Sequence, residues 1–486
     1  MAAAKEGIVK DMCIYEALEN LGFSKDLTVK RWKISDNAEI SGTRITKRNW
    51  RTNIDVIVAG SRGEGTGVAF ESDADVIFVD RSIKCFENTP SHHEKARYDA
   101  VFKLDTRKDY VPPGYSFLEK VSLKEKEDNS MFLGFLKSAI TRVNRKQYLR
   151  NNGDFIGAIA NNAARENSGW FGRQFQIETP SGPSKPFKIP IPFIDTGHVS
   201  IDYVAAFPCS FPSIEQWCAR KRMFGWPNKD LIDAIRNFDV FVVPVGMTNT
   251  DIDRLQWRLS FTLAERELVR SFNDVQIKLY AVMKMLTKRH LKPVCENISS
   301  YMIKNVIFWV LEDTPNDFFT RENFCEILSV TLGRLKTYLV AEYLPNYMMC
   351  ERNLLDDKIS KSEGICLLSR LDEVMQDVSK AVFECPLIYE KEVHSEKKRW
   401  LSVLEQLLAG IFAIPPHQCD DVEKELHAAN SPFEILHILL KGVVPTIRQT
   451  NPYGFFDLLI SMSDQEIIEA GMKCIKNAED LMIFFP

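Results

Sequence analysis

Gly60-Ser61-Arg62-Gly63-Glu64-Gly65, followed by Ser72-Asp73-Ala74-Asp75-Val76-Ile77-Phe78-Val79, is the stretch that decides the fold. The apolar run Ile54-Asp55-Val56-Ile57-Val58-Ala59 leads into it and has the β-branched content of a strand. A strand ending in Gly-Ser among further glycines can turn tightly and present N–H groups and a hydroxyl to a phosphate. Asp73 and Asp75 come twelve and fourteen residues after Ser61 and open a second apolar run. Strand residues two apart share a face, so the two carboxylates converge on one spot. Carboxylate oxygens suit Mg2+ or Mn2+, and two such ions about 3.5–4 Å apart can serve nucleotidyl transfer. Taken alone, Asp-Ala-Asp reads sooner as a solvated strand end, and the glycines as an ordinary turn. The joint spacing is the stronger signal.

A third carboxylate on a separate strand would complete such a metal site. Asp202 is the candidate, because it lies inside the apolar run Val199-Ser200-Ile201-Asp202-Tyr203-Val204. A charge there needs a metal, a partner or a turn. A structural Asp with its own partner is the alternative. Val240-Phe241-Val242-Val243-Pro244 reads as a further strand, and residues 178–197, rich in Pro, Gly and Ser, read as a loop. Residues 80–130 are polar with turn signals at Pro90 and Pro112-Pro113-Gly114, and 131–150 have helical spacing. From Leu263 onward the pattern is helical. Phe272, Val275, Leu279, Val282, Met283 and Leu286 form one stripe, and Phe324, Ile327, Leu328, Thr331, Leu335 and Leu339 another. Residues 351–399 are charged and less regular, and 400–486 return to helical spacing.

The bulk composition is that of an ordinary globular chain of 486 residues, with 45% hydrophobic and 26% charged side chains. A formal net charge of −4 excludes a chain that is basic overall, although a local basic face is compatible with it. No apolar leader opens the chain and no apolar run spans a bilayer, so a cytoplasmic protein without membrane contact is expected. The 11 cysteines are scattered without a CxxC pair, as expected of reduced thiols. Arg44, Lys47, Arg48 and Arg51 recur at three- and four-residue spacing, so one helix would put them on one side. Arg220-Lys221-Arg222 and Lys397-Lys398-Arg399 are further basic clusters. A solvated face and a nucleic-acid surface are equal readings of these.

The Gly-Ser and Asp-x-Asp pattern resembles the signature of the DNA polymerase β-type nucleotidyltransferases. Trp257-Arg258-Leu259-Ser260-Phe261-Thr262-Leu263-Ala264-Glu265 and Ser299-Ser300-Tyr301-Met302-Ile303-Lys304 narrow the resemblance, together with a Lys-bearing helix between them. They resemble the male-abnormal-21-like superfamily, and within it the cyclic GMP–AMP synthase-like receptors of animals. Gly182-Pro183, Phe224-Gly225-Trp226-Pro227, Pro244-Val245-Gly246 and Phe272-Asn273 add to the likeness, which runs from about residue 10 to about residue 360.

The resemblance implies an α+β, two-lobed polymerase-β-type nucleotidyltransferase fold with a mixed sheet core and a helical second lobe. The expected divisions are residues 1–262, 263–385 and a helical extension over 386–486. Asp73, Asp75 and Asp202 would hold two Mg2+ or Mn2+ ions, and Asp202 would help to deprotonate the attacking ribose hydroxyl. Gly60 and Ser61 would hold a triphosphate, and Lys284 would contact phosphate. Arg258, Ser260 and Thr262 would face the bases, with Glu265 beside the donor nucleotide or its metal. Ser300 would bind phosphate and Tyr301 would stack a base. Structural alternatives stand beside these: a salt bridge for Arg258, a core position for Tyr301, a solvated surface for Lys284.

Relatives that sense DNA carry a zinc-binding insertion of one His and three Cys after the Arg-Leu-Ser-Phe block. Here Glu265 runs directly into Arg266–Asn273, so no structural zinc is expected. The implied activator is then double-stranded RNA, bound by Arg44, Lys47, Arg48 and Arg51. The implied activity is condensation of two nucleoside triphosphates into a cyclic dinucleotide. A receptor of the STING type would read that product in innate antiviral signalling. The rivals are a catalytically silent family member acting as a nucleotide-binding scaffold, and an RNA-tailing transferase.

Overall fold

The computed structural model describes residues 14–19, 21–48, 52–67, 74–106, 111–125, 133–151, 176–177, 185–190, 198–247, 253–356 and 358–389. A 24-residue helix, α1 (Lys25–Arg48), precedes the first strand and packs along it. Its Thr46 hydroxyl donates to the Ile54 carbonyl at 2.6 Å, and the Val56 N–H donates to the Thr43 hydroxyl at 2.8 Å. Gly42 lets the two backbones approach, since a Cβ there would lie 3.1 Å from the Val56 side chain.

Among the described residues twelve strands form one mixed sheet. They are β1 (Ile54–Ala59), β2 (Ala74–Asp80), β3 (Ile83–Phe86), β4 (Ala100–Asp105), β5 (Tyr115–Leu123), β6 (Ile140–Val143), β7 (Lys146–Leu149), β8 (Gln176–Ile177), β9 (Lys185–Pro190), β10 (His198–Ser210), β11 (Val240–Val243) and β12 (Gln256–Ser260). The main path runs β1-β2-β10-β11-β12-β5-β4-β3. The 13-residue β10 joins two sections. Its first half lies between β2 and β9, and its second half pairs with β11 and β3. Buried Trp257 on β12 ties the sections together: its ring packs on Phe207 of β10 and its indole N–H donates to the Leu149 carbonyl at 3.0 Å.

After β12 the described chain is helical: α2 (Thr262–Arg270), α3 (Asp274–Leu286), α4 (Ser300–Glu312), α5 (Phe324–Val340), α6 (Lys361–Gln376) and α7 (Val378–Phe383). Asn273 and Gln276 form a reciprocal capping box that starts α3. The apolar stripes read at 272–286 and 324–339 are buried throughout. No helix among the described residues is long and apolar enough to cross a membrane.

Four segments differ from expectation. Helical spacing over 131–150 yields only Leu133–Ala139; the chain then turns back as the β6–β7 hairpin. Asn144 and Arg145 both adopt positive φ (47° and 71°), as the tight turn favoured by strand twist requires, and β-branched Thr141 and Val143 suit the strand before it. The polar stretch 80–130 carries β3, β4 and β5, because their apolar residues Ile83, Cys85, Val101, Phe102, Leu104 and Leu118 are buried while Lys103, Glu119 and Lys120 stay only partly covered. The loop read over 178–197 contains β9, which zips antiparallel onto β10. Part of the irregular 351–399 is α6, which opens with a Ser360–Glu363 capping box. Residues 390–486 lie outside the described residues.

Candidate active site

The site begins where three strands meet. Ala59 at the end of β1 is in register with Asp75 on β2, and Asp75 is in register with Asp202 on β10. β2 and β10 are parallel, so in-register side chains lie on the same face of adjacent strands. Asp75 and Asp202 are therefore neighbours on one surface. Gly60 follows Ala59 with φ +59°, and a Cβ placed there would lie 1.9 Å from an Asp75 carboxylate oxygen. Glycine is required at this point twice over, by backbone conformation and by the closeness of the carboxylate. Asp73 lies outside the described residues. Among the described residues no group of three His, Cys, Asp or Glu side chains stands ready for a metal.

The chain after Gly60 makes one helical turn, Gly60–Gly63, and then folds back on itself. The Glu64 N–H donates to the Gly60 carbonyl at 3.0 Å and the Thr66 N–H to the Ser61 carbonyl at 2.9 Å. Long-range contacts fasten this loop. Trp32 of α1 donates its indole N–H to the Glu64 carbonyl at 2.6 Å, and the Ser35 hydroxyl donates to the Arg62 carbonyl at 3.0 Å. Arg270 of α2 donates to the Gly63 carbonyl at 2.9 Å and pairs with Asp36 of α1 at 2.7 Å. Glu39 of α1 accepts from the Val58 N–H at 2.8 Å and pairs with Arg266. Burial raises the Glu39 pKa above its ordinary value, against the pull of Arg266.

Lys284 on α3 reaches this loop, donating to the Ser61 hydroxyl at 3.1 Å and to the Thr66 carbonyl at 2.9 Å. Burial brings its pKa down to about 8; nearby Lys304 and Arg31 push the same way, and Glu64 opposes them. Of the structural alternatives, a solvated Lys284 does not match this placement.

A buried charge relay backs the loop. Glu64 is 2% exposed and accepts from Lys304 at 2.8 Å and from the Tyr280 hydroxyl at 3.3 Å. Lys304 also pairs with Glu265 at 3.0 Å, and the Tyr301 hydroxyl donates to Glu265 at 2.7 Å. Asn346 in turn donates to the Tyr301 oxygen at 2.8 Å. Burial, then Glu265, pushes the Tyr301 pKa up to about 12. Glu265 and Tyr301 are thus bound to each other within the relay. The sequence pattern alone assigns no role to Glu64, Lys304 or Trp32. Glu64 and Lys304 stand inside the quoted motifs, which was the one available signal.

The remaining site residues fall nearby. Arg258 on β12 is half-buried, opposite Tyr115 of β5, and burial and the Arg352 guanidinium hold its pKa below the ordinary value. The hydroxyls of Ser260 and Thr262 hydrogen-bond at 2.7 Å. Ser300 is exposed at the start of α4, whose cap is Ser299, accepting from the Met302 N–H at 3.3 Å. Arg44, Lys47 and Arg48 are exposed at the end of α1, where Lys47 pairs with Asp55 at 2.7 Å. Arg51 lies outside the described residues, as do Lys397-Lys398-Arg399. Arg220 and Arg222 are interior: both lie on Glu312, at 2.8 and 3.2 Å, and Arg220 also stacks on Trp309 and Tyr347. That cluster is a structural brace, because an interior guanidinium needs a buried carboxylate.

Comparison with known proteins places this architecture. Residues 79–271 match the Mab-21 protein nucleotidyltransferase domain, and residues 276–373 match the Mab-21 protein HhH/H2TH-like domain. Together they cover more than half of the chain, and the chain belongs to the Mab-21 family, with its α+β mixed-sheet core and helical C-terminal region. Among curated proteins it is similar to a cyclic GMP-AMP synthase-like receptor from Tribolium castaneum, at 25% identity over 122 residues. That match spans 25% of this chain and 29% of the relative, so the chain matches less than a third of the relative's length.

Proposed function

We propose that this chain is a metal-dependent nucleotidyltransferase that acts as a ligand-gated sensor and joins two nucleoside triphosphates into a cyclic dinucleotide. The observation that carries this reading is the meeting of Asp75 and Asp202 beside a glycine loop whose Ser61 is held by Lys284. Two carboxylates on adjacent strands supply the hard oxygen donors that Mg2+ or Mn2+ takes, so the donor chemistry fits. Asp75, Asp202 and, by its spacing, Asp73 would hold the ions. Bound there, the ions would neutralise charge on the reacting phosphates.

The chain's own groups do the rest. Gly60, Ser61 and Lys284 orient the donor triphosphate. The Asp202 carboxylate takes the proton from a ribose hydroxyl of the second nucleotide. That oxygen bonds to the α-phosphorus, the bond to the bridging oxygen breaks, and pyrophosphate leaves. A second such step closes the ring. Arg258, in register with Tyr115 on β5, would face the bases.

Gating follows from α1. Its C-terminal turn carries exposed Arg44, Lys47 and Arg48, while Trp32, Ser35, Asp36 and Glu39 on the same helix hold the loop and its supports. A duplex RNA neutralising the basic end would bear on the loop through one rigid element. The name of the Tribolium castaneum relative supports the cyclising reaction, and a cytoplasmic setting follows from that role.

The test incubates the full chain with labelled ATP, GTP, CTP and UTP, Mn2+ or Mg2+, and duplex RNA, with products separated by mass. A cyclic dinucleotide that depends on Asp75 and Asp202 is expected. Nucleotide binding without turnover under every ligand would favour the silent scaffold, and extension of an RNA primer would favour a tailing enzyme.

A further inference from the structure

A second group of cations stands on the other side of the charge relay from Lys284. Arg352 lies against the Gly114–Tyr115 turn: its guanidinium is 5.5 Å from the Tyr115 ring centre, and a Cβ on Gly114 would meet its side chain at 2.4 Å. Tyr115 is in register with Arg258, so both guanidiniums flank one ring on the β5–β12 pair. Lys358 follows six residues after Arg352 in the same segment, its N–H donating to the Leu355 carbonyl at 3.1 Å, and burial, then Arg258 and Arg352, hold its pKa below the ordinary value. Among the described residues none of these three cations has an ion-pair partner. Arg81, Arg220, Arg266 and Arg270, also partly buried, each pair with a carboxylate. Like charges gathered without a counter-charge raise the energy of the free protein and are relieved by a bound anion.

The position selects the anion. Asn346, whose amide donates to the Tyr301 oxygen, also donates its N–H to the Arg352 carbonyl at 2.8 Å, whereas at the other end Tyr280, which donates to Glu64, has the Lys284 ammonium 4.8 Å from its ring centre. The Glu64–Lys304–Glu265–Tyr301 relay therefore has a cationic centre at each end. We propose that Arg352 and Lys358, beside Arg258 and Tyr115, form a second phosphate subsite that holds the triphosphate of the second nucleotide. Arginine's fork suits phosphate oxygens, and two separated cationic centres let two triphosphates occupy one pocket without mutual repulsion. This rests on the nucleotidyltransferase reading and assigns Arg352 and Lys358 a task that reading leaves open.

The probe is inorganic tripolyphosphate, titrated calorimetrically into the full chain without divalent metal, beside a parallel ATP titration. Wild type is expected to take two tripolyphosphates. Arg352→Ala should weaken the second event about tenfold, the worth of one charge-assisted contact, and Arg352→Lys should recover part of it. Lys358→Glu should weaken it further, while Lys284→Ala should remove only the first event. One tripolyphosphate in wild type, abolished by Lys284→Ala, overturns the subsite and leaves the nucleotide reading standing. The subsite also falls if Arg352→Ala and Lys358→Glu bind as wild type does. Binding of neither tripolyphosphate nor ATP overturns both.

Discussion

Gly60→Ala separates the strain of the loop from the chemistry of the carboxylates. Gly60 has φ +59°, and an L side chain in that region costs about 1–2 kcal/mol. The new Cβ would also lie 1.9 Å from an Asp75 carboxylate oxygen, where ordinary carbon–oxygen contact is roughly 3.3 Å. The carboxylate must then retreat by about 1.4 Å, the difference between these distances. It is the far end of a rotatable side chain, so retreat adds little to the folding cost. A misplacement of about 1 Å at a reacting centre, however, costs on the order of 100-fold in rate. Gly60→Ala should therefore lose only about 1–2 kcal/mol in denaturant unfolding while losing Mn2+ affinity and turnover steeply. Gly225→Ala is the control, since its φ is +72° and nothing lies within 4 Å of an added Cβ. It should lose similar stability and no Mn2+ affinity. Titration calorimetry with Mn2+ reads the contrast. If Gly60→Ala keeps Mn2+ affinity within about twofold of wild type, Asp75 is not a metal ligand and the argument from spacing fails.

Three further outcomes follow from the relay and the loop. Lys304→Met leaves Glu64 and Glu265, 2% and 6% exposed, without their shared cation; unfolding should fall by about 3–5 kcal/mol, and a loss below about 1 kcal/mol would show the carboxylates solvated instead. Lys284, with its pKa brought down to about 8 by burial, is charged below that pH and neutral above it. ATP affinity should therefore decline as pH rises through about 8, and Lys284→Arg should flatten the profile; a wild-type curve flat to pH 10 would remove Lys284 from phosphate binding. Trp32→Phe deletes the 2.6 Å bond to the Glu64 carbonyl, worth about 1 kcal/mol. Amide exchange at Glu64–Thr66 should quicken by roughly fivefold, and unchanged exchange would mean that α1 does not restrain the loop.

What could be read from the chain depended on the range of the interaction. Gly60 and Asp75 lie within one strand–turn–strand unit, so period-two alternation and glycine turn chemistry were enough to find them. Asp202 was legible because a charge inside an apolar run demands an explanation wherever it sits. The helical stripe of α3 was legible for the same local reason. The β6–β7 hairpin was not: Asn144 and Arg145 at positive φ are a turn only when β5 offers Leu118 and Glu119 to pair with β7. Arg220 and Lys221 looked alike as a basic run, yet Arg220 lies on Glu312, 92 residues away.

The sequence by itself determined the strand–loop–strand that brings Gly60, Ser61 and Asp75 together, and the family to which the chain belongs. The tertiary structure alone decided what surrounds them. It set Asp202 in register with Asp75, placed Lys284 on Ser61, and closed Lys304 between Glu64 and Glu265. It also laid Arg352 on Tyr115, the register partner of Arg258. The reason is physical. Backbone conformation responds to neighbours a few residues away, whereas the charge a side chain meets depends on which distant segment packs against it. Lys304 and Glu64 are 240 residues apart and share one hydrogen bond.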